Sequence, residues 1–130
     1  MRNYIKTTAG FILSATMATA SFGATVNVGE LQGFTGPLES MIGPMTGGAN
    51  LAVTEANASG AYLNGTIVVV QGDSVCIDPA VAIAQAEKMI NDDNVMAIMG
   101  PNCSGNTGAV ITNVLVPNGV VAISPSATSP

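Results

Sequence analysis

Apolar and polar residues alternate from Thr25 to Leu31 (Thr-Val-Asn-Val-Gly-Glu-Leu), the period-two pattern of a strand with one face in a core. A breaker-rich turn, Gln32 to Pro37, follows. The period then changes. Met45, Ala49, Ala52 and Ala56 recur at helical spacing, and Pro44 suits a first helical position, so a helix is expected from Pro44 to a stop at Ser59-Gly60. Small residues on that face imply close packing on a sheet.

Thr66–Gln71 carries Ile-Val-Val-Val, an unbroken apolar run of the kind found in a buried strand. Asp78-Pro79 announces a second helix, with Asp as N-cap and Pro at the first helical position. Val81, Ala84, Ala86, Met89 and Ile90 give it an apolar surface as far as Asn91, where Asp92-Asp93-Asn94 breaks it. Val95–Met99 reads as a third strand and Gly100–Cys103 as a loop. A third helix is expected from Ser104 to Val116 and a fourth strand from Val120 to Ser124. The β-α-β-α-β-α-β order predicts an α/β fold, a parallel sheet with covering helices and right-handed crossovers.

Composition narrows what such a sheet serves. The chain of 130 residues is 48% hydrophobic and only 8% charged, and its three basic residues are Arg2, Lys6 and Lys88. Arg2 and Lys6 precede an apolar, small-residue run from Thr8 to Ala20, and Ala18-Thr19-Ala20 fits a small-x-small cleavage site. Residues 1–23 therefore read as a secretory signal peptide, since the run falls short of the roughly 20 apolar residues of a membrane span. No lipobox cysteine is present, so residues 24–130 are expected to be soluble in the periplasm. There Lys88 alone faces eight carboxylates, a net charge of −7. That balance argues against nucleic acid and against a polybasic membrane contact.

Export gives Cys76 and Cys103 a context in which pairing is expected, with two buried free thiols as the alternative. Closing about 27 residues would contribute roughly 3–4 kcal/mol. Two thiols and no histidine make a poor metal site, and no cofactor motif is present. Enzyme chemistry is likewise poorly served. Ser104 has no histidine in the chain to act as its base, and Cys103 has no activating neighbour.

Candidate binding chemistry gathers in the last thirty-one residues. Two hydroxyl-rich turns, at Cys103-Ser104 and at Ser124–Ser129, flank the third helix, and each follows an apolar strand. Ligands of open parallel sheets bind at such strand ends. A helix opening on Ser104 would offer free N–H groups to an anion such as a carboxylate; an ordinary N-cap and ordinary turn chemistry are the alternatives.

Gly100-Pro-Asn-Cys-Ser, Asn118-Gly-Val-Val-Ala-Ile-Ser-Pro125, Ser126-Ala-Thr-Ser-Pro130, Phe34-Thr-Gly-Pro37 and Cys76-Ile-Asp-Pro79 occur together over residues 25–130. In this set the chain resembles the Leu/Ile/Val-binding protein family, the type I periplasmic solute-binding proteins of branched-chain amino-acid ABC transporters. The resemblance implies a Rossmann- or flavodoxin-like lobe, here the incomplete first of two lobes that close on a ligand by hinge motion. It implies amino-acid capture for permease subunits of an importer, with no chemical transformation. A receptor ectodomain on the same fold, or binding of urea, short amides or aromatic acids, is the alternative. By the same resemblance Ser104, Ser126, Ala127 and Thr128 contact the ligand's carboxylate and ammonium, beside Cys103, which is disulfide-bonded to Cys76. Met41 stands where an aromatic residue often covers the ligand side chain.

Overall fold

The computed structural model describes residues 23–62 and 65–129, so the signal peptide expected over residues 1–23 lies almost wholly outside them. Strands β1 (Thr25–Gln32), β2 (Thr66–Asp73), β3 (Val95–Met99) and β4 (Val121–Ile123) form one parallel sheet in the order β2-β1-β3-β4. The expected α/β architecture is present.

Helices α2 (Pro79–Asn91) and α3 (Ser104–Val110) cover one face of the sheet. The core lies there, with Leu31, Ala82, Ala86, Met89, Val95, Ile98, Val110, Val114 and Leu115 all buried. A register shift between Asn27 and Val28 bulges β3 at Met96, which brings Val95 and Ile98 to the same core face and leaves Met96 exposed. Gly29 sits opposite these side chains; a Cβ there would lie 3.1 Å from atoms of Ile98, Met89 and Val95.

The second helix forms as its sequence dictates. The Asp78 carboxylate accepts the Ala80 N–H at 2.9 Å, and Pro79 fills the first helical position. Its buried face is Ala82, Ala86 and Met89, so the expected Ala84 lies outside it.

Three expectations need correction. The first helix, α1 (Glu39–Ser59), begins five residues before Pro44, which stands inside it. The turn at Gly36–Leu38 already starts the helix, with Glu39 N–H on Gly36 O and Met41 N–H on Leu38 O, and acidic Glu39 suits the first turn. Its inward face carries Ile42, Met45, Ala49, Val53 and Ala56, with Ala52 exposed. Strand β2 is an edge strand, half-exposed despite its apolar run. The third helical stretch runs past Val116: a π-helical segment, Ile111–Leu115, follows α3, and a last turn, α4 (Val116–Asn118), ends at left-handed Gly119. Pro117 lacks the N–H that would bond Asn113 O and its ring crowds that carbonyl, so the preceding turn widens.

Candidate ligand site

With the right-handed crossovers usual between parallel strands, the order β2-β1-β3-β4 puts α1 on one face of the sheet and α3 on the other, so the crevice between the ends of β1 and β3 is the topological switch point. Side chains bridge the loops around it. The Gly33 N–H donates to Asn102 Oδ1 at 3.0 Å, directly across the switch point. Asn106 Nδ2 donates to Ser74 O at 2.8 Å, and the Ser74 N–H to Gln32 O at 2.7 Å. The expected disulfide joins Cys76 to Cys103, with Cα atoms 5.5 Å apart. Three loops thus behave as one piece.

The fourth loop folds onto the same piece. Ser124 Oγ donates to Pro101 O and accepts the Ala127 N–H at 2.9 Å. Ser126 Oγ donates to Asn102 O at 2.7 Å. The hydroxyl oxygen of Ser104 accepts the N–H groups of Thr128 at 3.1 Å and Ser129 at 3.2 Å. Ser104 is therefore no N-cap: Cys103 holds that position, and Ser104 is the first helical residue.

Ser104, Ser126, Ala127 and Thr128 are thus brought together by side-chain hydrogen bonds between the two loops, and Cys103 adjoins Ser104, tied to Cys76 by the disulfide. Met41 is not among them. It stands in the first turn of α1, 54% exposed, on the side of the sheet away from α3. The residues that sequence reasoning missed are Asn102 and Asn106, both buried and both bridging loops. Asn106 carried a signal: an amide beside the apolar run of a core helix needs a partner.

Among the described residues, no cation stands at this end of the molecule. Lys88 is the one cation among the described residues, and it pairs with Asp93 at 2.7 Å after the C-terminus of α2, away from the loops. Asp73 holds the loop after β1. Its carboxylate accepts the Thr35 hydroxyl at 2.6 Å, the Thr35 N–H at 3.3 Å and the Val75 N–H at 2.9 Å. Burial pulls the Asp73 carboxyl upward, but hydrogen bonds from the Thr35 side chain and from the backbone at Val75, Thr35 and Phe34 outweigh it and hold it below its ordinary value. An anion at this site would be met by neutral hydroxyl and N–H donors.

The family model described as "Periplasmic binding protein" matches residues 25–130, the whole of this architecture. This chain belongs to the periplasmic binding protein family. It is a family of binding proteins and not of enzymes. A leucine-, isoleucine-, valine-, threonine- and alanine-binding protein of Pseudomonas aeruginosa is 32% identical over 124 residues, covering 91% of this chain and 32% of the relative. The branched-chain amino acid transporter substrate binding protein LivJ of Streptococcus pneumoniae, solved with isoleucine, is 34% identical with a TM-score of 0.73, over 81% of this chain and 30% of LivJ. A solute binding protein of Rhodopseudomonas palustris, solved with 4-hydroxybenzoate, is 25% identical with a TM-score of 0.71, over 81% of this chain and 28% of that one. The chain spans about a third of the length of the curated relatives it matches. No helix among the described residues is long and apolar enough to cross a membrane.

Proposed function

We propose that residues 24–130 form the first part of the N-terminal lobe of a two-lobed protein that captures an amino acid, branched-chain in class, in the periplasm. Residues 1–23 act as its export signal. The ligand passes to the permease subunits of an ABC importer, and capture works by closure of the second lobe over the first.

The observation that supports this reading is the opposite polarity of two neighbouring hydroxyls. A serine hydroxyl has one proton and two lone pairs. At Ser104 both lone pairs take backbone N–H groups, so only its proton is left, and it suits an acceptor such as a carboxylate. At Ser126 the proton is spent on Asn102 O, so lone pairs are left, and they suit a donor such as an ammonium. A carboxylate beside an ammonium is the shared head of every free amino acid. Thr128 adds a further hydroxyl next to Ser104, and Cys103 and Ala127 supply the walls. Met41, in the first turn of α1, is assigned the side-chain end of the ligand by its place in the family pattern.

The test starts by reading the open frame beyond Pro130, then follows thermal unfolding of the complete product against a panel of amino acids. Leucine, isoleucine or valine is expected to raise the unfolding temperature, because a ligand bound only by the native state stabilises it by mass action. Silence across the panel would overturn the reading. Benzoate and 4-hydroxybenzoate belong in the same panel, since the donor left at Ser104 would serve an aromatic carboxylate equally well.

A further inference from the structure

We propose that Ile77 determines which ligand side chains the site accepts; the proposal rests on the reading that Ser104 holds the ligand's carboxylate. Ile77 is 74% exposed, the most exposed large apolar side chain among the described residues. It follows a backbone segment held in an unfavourable conformation. Val75 has φ 47° and Cys76 φ 70°, left-handed values that residues other than glycine seldom adopt and that are rarest for a β-branched side chain. The Cys76 N–H closes this turn on Ser74 O at 2.6 Å, a three-residue turn of the strained kind.

Four further ties hold it. Asp73 accepts the Val75 N–H, Asn106 grips Ser74 O, the disulfide anchors Cys76, and Gly36 admits the Val75 carbonyl where a Cβ would come within 2.8 Å of it. Strain retained against such restraints is typical of ligand clamps. Capping of α2 does not account for the isoleucine. Asp78 does the capping, and any polar residue at position 77 would link it to Cys76 without exposing a large apolar side chain to water.

Reach fits the role. The Cα atoms of Cys76 and Cys103 are 5.5 Å apart and Ile77 and Ser104 are each one residue further on, so their Cα atoms lie within about 13 Å of each other. That span accommodates a serine side chain, an amino acid bound by its carboxylate, and the isoleucine pressing on the ligand's far end.

The experiment compares calorimetric affinities of the complete protein and its Ile77→Ala and Ile77→Val variants for leucine, alanine and glycine, with benzoate as a carboxylate lacking the ammonium. Ile77 is exposed, so both variants are expected to keep the parent's unfolding temperature. Ile77→Ala is expected to weaken leucine binding by roughly tenfold with little change for glycine, and Ile77→Val by less. Leucine-to-glycine ratios that stay at the parent's value overturn the role of Ile77 alone. Failure of the parent to bind any of the four overturns the carboxylate-binding reading and this proposal with it.

Discussion

The hydroxyl oxygen of Ser104 accepts the backbone N–H of Thr128 at 3.1 Å, joining the first turn of α3 to the loop after β4. The contact holds residues 24 positions apart in one arrangement. The contact also decides which way the hydroxyl can act, because a lone pair given to Thr128 is unavailable to a ligand's ammonium.

Ser104→Ala removes both the remaining donor and the acceptor for Thr128 and Ser129. In the complete protein it is expected to weaken amino-acid binding by about 1.5–3 kcal/mol, the range for a hydrogen bond to a charged group. Ser104→Cys, similar in shape but a weak acceptor and donor, is expected to rescue little of it. Isothermal titration checks both, and an unchanged affinity in Ser104→Ala would remove Ser104 from the site.

Asp73 makes the loop after β1 sensitive to acid. Its carboxyl is held below its ordinary value in the folded state, so it contributes stability that is present above the unfolded pKa of about 3.9 and lost as pH falls through the lower folded value. Asp73→Asn is expected to flatten the decline in stability as pH falls below about 4. Solvent screening at this partly exposed site keeps the difference at neutral pH to about 1 kcal/mol or less. Denaturant titrations of both proteins across that range measure it; parallel curves would count against the Asp73–Thr35 contact.

Gly100 fixes how closely β3's exit passes β1. It has φ 119°, and a Cβ there would overlap Leu31 O, a backbone atom that cannot move aside. Gly100→Ala is expected to destabilise by more than about 3 kcal/mol through strain and clash together. Gly105→Ala is the control, because its Cβ would meet nothing within 4 Å. Comparing soluble yield and unfolding midpoints of the two checks the claim.

Much of this was legible in the chain. Asp78-Pro79 is a local signal, and the side chain caps α2 as its chemistry requires. What failed was set by distant partners. The Ile-Val-Val-Val run of β2 is compatible with a central strand or an edge, and only the order β2-β1-β3-β4 decides for the edge. Pro44 is a helix-start residue locally, yet Gly36–Leu38 turns the chain into α1 earlier. At the site, the hydroxyls of Ser104 and Ser126 could be named from the sequence. The N–H donors of Thr128 and Ser129, which orient the Ser104 hydroxyl, and the Asn102 carbonyl, which orients that of Ser126, come from backbone geometry that no residue type encodes.

The loop after β2 is tied to the β3 exit twice, by the disulfide and by Asn106, and the two ties are expected to fail differently. The Cys76→Ala/Cys103→Ala double variant releases a 27-residue loop in the unfolded chain, which costs roughly 3–4 kcal/mol of stability. The Asn106 bond to Ser74 O survives in it, so the loop stays docked and ligand affinity is expected to change by less than about threefold. Asn106→Ala takes one of two donors from the buried Ser74 carbonyl, which keeps the Cys76 N–H, and is expected to cost about 0.5–1.5 kcal/mol while the disulfide still holds the loop. If each tie backs up the other, removing all three side chains loosens the loop more than the two separate losses add to. Denaturant midpoints together with hydrogen exchange at the Val75 and Cys76 amides test this. Strict additivity in both readouts would show that the two ties act independently.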